Sequence, residues 1–490
     1  MIEKWAADWL EEMRSKGSRG ISVENRNGVH QLRWQTTEWD PVKKKRVKRG
    51  NYIGSLREPG MVVPAKGLDI RSLDPRAVEA FGLTIPEVRD VVLCDQKISG
   101  PMRLLKKVTS ATFDKMIAAF GHGIGDDLWM LAMSRLFGKG RLVRAGRWFS
   151  TMENSFGLNC HTDPDALSET LRMAGMSSLA QKTFFESLYE DGMQVAVDMT
   201  VVFSRSRGAF LIKRGYNRFK LTCGQYNVVL VCSLENMLPI SMKTVAGNVT
   251  EGSLKGMIKE FDLPEDVVAV MDRGYNIEEI RDIIDDSGRF FVIPVDRNSV
   301  LYESISVGEG AFVYKSSTIR FGHGDGLGYN AFRYDNMNLR NDELASLVDD
   351  AGGIILGPLP ENAGNLILIT NLNETAETIY RLFKCRGAVE NDFDTGKNLL
   401  LMDSSYMHDT FHIQGFNFVT FLSLRIRTEL DMLITSAGLD PKLTVEDVLF
   451  IYSNATISKT SEGTIMEYVP ADLRRIDEQL GVKLYPKNRE

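Results

Sequence analysis

Residues 193–204, MQVAVDMTVVFS, decide how the chain is read. Val195, Val197, Val201, Val202 and Phe203 favour a strand, and the run is free of glycine and proline. One acid, Asp198, sits in its middle. An ionised carboxylate in a half-buried strand is costly unless a cation or a metal ion pairs with it. Working outward, QYNVVLVCSL (225–234) and LPISMKTVAG (238–247) read as two further strands, broken by Gly, Asn and Pro. SLKGMIKEF (253–261) then reads as a helix, VVAVM (267–271) as a buried strand, NIEEIRDIIDD (276–286) as a helix and RFFVIPV (289–295) as a strand.

Three consecutive strands followed by α-β-α-β is the order of a ribonuclease-H-like core, a mixed α/β sheet with a meander on one side and parallel strands on the other. The first and fourth strands are neighbours in such a sheet, which would bring Asp198 beside Asp272, the acid that directly follows VVAVM. Acids at the carboxyl ends of strands in an α/β sheet lie where ligands bind. Residues 298–365 break the rhythm with Gly-rich and aromatic stretches and predict a β-rich insertion. GHGDGLG (322–328) lacks the strand-turn-helix setting of a nucleotide-binding loop and reads as a plain loop. The core resumes at NLILITN, spans 190–297 and 366–435, and includes a long apolar helix over DTFHIQGFNFVTFLSLRIRTELDMLI.

A third acid must come from a helix crossing the sheet edge. In RLFKCRGAVENDFDTGK (381–397), helical winding from Phe383 places Arg386, Glu390 and Lys397 at about 300°, 340° and 320°, on one narrow face. Gly387 and Gly396 weaken the helix by about 1 kcal/mol each against Ala, so helix stability is a poor reason for these residues. Asp394 projects near the same face, and Glu390 has the longer reach. Three convergent carboxylates, Asp198, Asp272 and Glu390, suit Mg²⁺ or Mn²⁺, as two ions that activate water or a 3′-hydroxyl and stabilise a leaving oxygen. Arg386 and Lys397 would then grip flanking phosphates.

The rest of the chain sets limits. With 490 residues, 43% hydrophobic and 25% charged, it is of globular composition, and no apolar run approaches a membrane span. The acid-rich first residues read as a short amphipathic helix with Ile2, Trp5, Trp9 and Met13, not as a targeting segment. Five scattered cysteines without a CxxC pair argue for a reducing interior and against a disulfide framework or a zinc finger. His408 and His412, one turn apart, fit capping or packing better than metal binding. The net charge is −6, yet KKKRVKR (43–49) puts six basic residues in seven. Ten Lys or Arg face three Asp between Lys97 and Arg147, and six with no acid lie between Phe203 and Lys220. Such local basic surface is what phosphate-backbone binding needs. The segments read as a mixed N-terminal region (1–75), a helical basic DNA-binding domain (76–188) and a helical tail (436–490). Within the second, Asp126 or Asp127 is expected to cap a helix that ends at Gly138.

Phe383-x2-Arg386-x3-Glu390-x6-Lys397 resembles the Tyr-Arg-Glu-Lys signature of one branch of the insertion-sequence DDE transposases, with phenylalanine for tyrosine. Asp198-Met199-Thr200 looks like that family's first-acid strand, Asp272-Arg273-Gly274-Tyr275 like its second-acid motif, and FHIQGF (411–416) is also similar. Gly387 departs from the pattern, standing where an aromatic usually follows the arginine. The resemblance covers about 190–435. It implies a ribonuclease-H-like catalytic core with Asp198, Asp272 and Glu390 as catalytic metal ligands, Mg²⁺ or Mn²⁺ as cofactor, and Phe383, Arg386 and Lys397 on DNA. It also implies double-stranded DNA partners (terminal inverted repeats and target), a homodimer in a synaptic complex, and a place in the prokaryotic cytoplasm with the nucleoid. The competing readings are a degenerate or domesticated DNA-binding derivative without cleavage, and an unrelated phosphotransferase with Asp198 as nucleophile. The DxDxT pattern of the last is absent.

Overall fold

The computed structural model describes residues 2–41, 43–66, 68–70, 73–83, 93–190, 192–206, 208–215, 217, 221–249, 267–271, 289–350, 353–354, 360–386, 407–440, 442–460 and 465–486. The expected helices at 253–261 and 276–286 lie outside them, as do Asp272, Glu390, Asp394 and Lys397. Two compact units divide between Val92 and Leu93.

In the first unit α1 (Lys4–Ser15) is followed by β1 (Ile21–Arg26), β2 (Val29–Asp40), β3 (Lys45–Glu58), β4 (Met61–Pro64) and α2 (Pro75–Ala80). The four strands form one antiparallel meander. Alternation along the strands sends Ile21, Val23, Leu32, Trp34 and Leu56 to one face, where they bury against Ala6, Trp9 and Leu10 of α1. The amphipathic first helix read from Trp5, Trp9 and Met13 is thus present, with Trp9 buried and Trp5 and Met13 packed at the margin.

The second unit opens with β5 (Leu93–Ile98) and five helices: α3 (Gly100–Phe120), α4 (Ile124–Leu136), α5 (Leu142–Ser150), α6 (Pro164–Met176) and α7 (Ser178–Glu186). The N-cap of α4 is Gly123, so neither acid takes that position. Asp126 instead accepts from the Gly123 N–H at 3.2 Å from inside the first turn. Gly138 follows the helix at φ 66°, a left-handed conformation that glycine adopts without strain.

The sheet strands are β6 (Gln194–Phe203), β7 (Gln225–Ser233), β8 (Pro239–Ala246), β9 (Val268–Val270) and β10 (Phe290–Pro294). They are followed by α8 (Leu301–Ser304), β11 (Gly310–Tyr314), β12 (Ser317–Gly326), β13 (Tyr329–Asn336), α9 (Met337–Asp350), β14 (Asn365–Thr370), α10 (Ala376–Cys385) and α11 (Thr410–Ser436). The nine strands form one sheet in the order β11-β12-β13-β14-β10-β9-β6-β7-β8. β7 pairs antiparallel with both β6 and β8, and β9 and β10 continue on the other side of β6 as parallel strands. The insertion does not stand apart, because its hairpins extend the sheet through β14.

GHGDGLG is a correction to the loop reading. Gly322, Gly324 and Gly326 lie in β12, and only Leu327 and Gly328 make the turn to β13. A Cβ on Gly322 would stand 1.8 Å from the Ser306 carbonyl oxygen, and one on Gly324 2.8 Å from Ile305. These glycines admit a close neighbour.

One face of the sheet (Ala196, Val202, Val228, Leu230, Val270, Leu368) shares a core with α3, α4, α6, α7, α10 and α11. The other (Val195, Val197, Val229, Ala269, Phe291, Ile367) packs with Tyr302 and Ile305. The helices within the segment expected as a helical basic DNA-binding domain (76–188) thus share the sheet's own core. Buried polar contacts fasten α11: Asn417 donates to Thr244 at 2.8 Å, Arg425 to the Pro239 carbonyl at 2.7 Å, and Ser423 to the Ala132 carbonyl at 3.0 Å.

The tail is only partly helical. α12 (Val445–Tyr452) and α13 (Ala471–Gln479) flank a hairpin of β15 (Thr456–Thr460) and β16 (Ile465–Tyr468), and β15 pairs with β5.

Candidate active site

Asp198 lies mid-strand on β6, between β7 and β9. Ala196 and Val202, an even number of residues away, face the core shared with α10 and α11, so the pleat turns Asp198 to the same side. Its pairing ends informatively: Gln194, Val195 and Ala196 match Val268, Ala269 and Val270 of β9, and Asp198 follows two residues later. It therefore stands level with the carboxyl end of its parallel neighbour β9, the side on which ligands bind in an α/β sheet.

The carboxylate is buried, with 8% of the residue exposed. Oδ1 accepts from the Met199 N–H at 2.9 Å, and Oδ2 lies 3.7 Å from Nη1 of Arg386. Arg386 is the C-cap of α10, brought round by a turn in which its N–H donates to the Phe383 carbonyl at 3.2 Å. Its guanidinium carbon sits 5.8 Å from the Phe383 ring centroid. A phenyl face suffices for that contact, so the ring that replaces tyrosine seats the arginine. The structure therefore joins three of the six expected site residues, Asp198, Phe383 and Arg386. Arg386, expected on phosphate, pairs here with Asp198.

Sequence reasoning missed the surroundings of Arg386. Lys384 has its ammonium 5.4 Å from the Tyr380 ring centroid, and its pKa is pulled down by burial and then by the Arg386 charge. Arg381 donates to the Val313 carbonyl at 3.1 Å and lies over Tyr314, as does Lys315. The β11–β12 turn thus adds one cation, Lys315, beside α10 from more than 60 residues away in sequence, which no local charge count reveals. α5 exposes Arg144 and Arg147, and its N-cap Arg141 is exposed as well. His412 contacts Asp409, the N-cap of α11, and Ser168, which bears out the capping and packing reading.

Among the described residues no group of three His, Cys, Asp or Glu side chains is placed to hold a metal ion, and no helix is long and apolar enough to cross a membrane. Asp198 by itself fits a hard cation, being a buried carboxylate on the sheet just past the β6–β9 pairing.

Arg386→Ala leaves a buried carboxylate without this cation. We expect a stability loss of about 2–3 kcal/mol, read by chemical denaturation, with partial recovery in Arg386→Lys. Unchanged stability would show that the pair does not compensate Asp198.

The family model of the transposase DDE domain matches residues 191–426, from just before β6 into α11. The match covers just under half of the 490-residue chain and supports an insertion-sequence DDE transposase. No curated protein matches it.

Proposed function

We propose that the chain binds the terminal inverted repeats of an insertion sequence, cleaves the element ends and transfers the strands to target DNA, working as a dimer on DNA. The fold we infer for its core is ribonuclease-H-like. The observation that carries the reading is one register: Ala196 pairs with Val270, and each precedes a proposed ligand, Asp198 or Asp272, by two residues. Asp198, Asp272 and Glu390 would hold Mg²⁺ or Mn²⁺. Bound there, the ions supply Lewis acidity at both the attacking and leaving oxygens of a phosphodiester.

The protein's own part is to orient. Water attacks phosphorus, the P–O3′ bond breaks, and the protonated 3′-hydroxyl leaves. That hydroxyl then attacks a target phosphodiester and displaces a second 3′-hydroxyl. Arg386, seated on Phe383 within reach of Asp198, holds the phosphate next to the break, and Lys397 is assigned a second phosphate. The test is Mg²⁺-dependent strand cleavage of duplexes carrying the element's own terminal repeats. Cleavage at the repeat ends supports the proposal, whereas binding without cleavage supports a derivative that only recognises DNA.

The third ligand is separable from its neighbour. Glu390→Gln should eliminate cleavage, and Asp394→Asn should only slow it, because Glu390 has the longer reach and shares the helical face of Arg386 and Lys397. A higher residual rate for Glu390→Gln than for Asp394→Asn would reverse the assignment.

A further inference from the structure

We propose that the β2–β3 ribbon of the N-terminal unit is a docking element for duplex DNA, entering a groove with its tip lysines on the phosphates. This rests on the transposase reading and adds the surface that meets DNA. The ribbon remains paired as far as Asp40 and Lys45. From Gln35 to Asn51 no described side chain is buried. The paired arm beyond Trp34 is about 20 Å long at 3.3–3.4 Å per residue, and it projects past the core formed with α1.

Its chemistry is one-sided. Residues 41–52, PVKKKRVKRGNY, hold six Lys or Arg and no acid. Lys43, Lys44, Lys45 and Arg46 are exposed at the tip. The Asp40 carboxylate accepts from the Lys43 N–H at 3.0 Å, which closes the turn, and Lys44 takes φ 44°. On the face turned away from α1, Trp39 is opposite Arg46 and Tyr52 opposite Arg33. Trp39 is 62% exposed and Tyr52 42%. The core does not use either ring, and both lie among cations. A two-stranded ribbon fits the roughly 12 Å major groove of B-form DNA, whereas the deep, narrow major groove of duplex RNA excludes it. Charge complementarity with the phosphate backbone favours a nucleic acid, and groove width selects duplex DNA as the occupant.

The test uses the full chain and a labelled random-sequence duplex of about three helical turns, with anisotropy followed over roughly 50–200 mM salt. A variant combining Lys43→Gln, Lys44→Gln, Lys45→Gln and Arg46→Gln should bind about 100-fold more weakly at the lower salt. Its log–log salt slope should be shallower by about three, near 0.9 for each phosphate that is no longer neutralised. Trp39→Ala should weaken binding about tenfold with the slope unchanged, as expected when a stacking ring is removed. Both variants should melt like the wild type, since none of these side chains enters the core. Wild-type affinity and slope in the quadruple variant would overturn the ribbon proposal and leave the transposase reading intact. Competition by duplex RNA as strong as by DNA would overturn groove docking. Failure of the wild-type chain to bind any duplex would remove both.

Discussion

Asp198→Asn is expected to abolish Mg²⁺-dependent cleavage, lowering the rate by about 10³-fold or more, while DNA affinity stays within about twofold. The change preserves shape and an oxygen that can accept from the Met199 N–H, and removes the charge. Ligation and transition-state charge stabilisation contribute several kcal/mol, which sets the size of the loss. Affinity rests on dispersed cations and should persist. Substituting the neutral isostere also leaves Arg386 without its carboxylate, so destabilisation is a second source of reduced activity. Denaturation alongside the assay separates the two, because a folded variant that binds DNA and does not cut it has lost chemistry. Cleavage by Asp198→Asn within about tenfold of wild type would place the metal site elsewhere.

Gly415→Ala should cost about 3 kcal/mol, near the top of the usual range for overpacking. α6 and α11 meet backbone to backbone. A Cβ on Gly415 would stand 1.9 Å from the Leu171 carbonyl oxygen, and one on Gly175 1.9 Å from that of Phe411. Neither obstacle is a side chain that can turn aside, so the helices must separate. α11 carries Phe416, Phe418, Phe421 and Leu422 into the main core, and separation would loosen all of them. The intrinsic helix propensity gained, about 1 kcal/mol, works in the opposite direction and is too small to compensate. Gly175→Ala should behave alike, and the double variant should fall short of the sum because both changes open the same helix–helix seam. Stability at or above wild type in Gly415→Ala would refute the close-packing account of the FHIQGF glycine.

The strands at 193–247, 267–271 and 289–295 were legible because β-branched runs bounded by turn residues leave few alternatives. The long helix over 409–434 was legible because an apolar surface of that length must be buried. What failed was mostly non-local. Glycines 322, 324 and 326 suggested a loop, yet glycine in a strand also marks close approach by another segment, and Ser306 and Ile305 are those neighbours. The helices of 100–186 showed which face was apolar without showing that the same sheet covers it. β5 and β15 are short strands whose pairing partners lie more than 350 residues apart. At the site, the acid on β6 could be found by its cost in a buried strand. Its pairing with Arg386 depends on how α10 turns at its end, and no periodicity carries that.

The central claim is that Asp198, Asp272 and Glu390 surround one divalent-cation site. Substituting Fe²⁺ and generating hydroxyl radicals, then mapping the chain breaks, tests it most directly. The account predicts breaks beside all three residues, suppressed together by excess Mg²⁺ and lost in Asp198→Asn. Breaks confined to one of the three segments, or clustered where none of them lies, would contradict it.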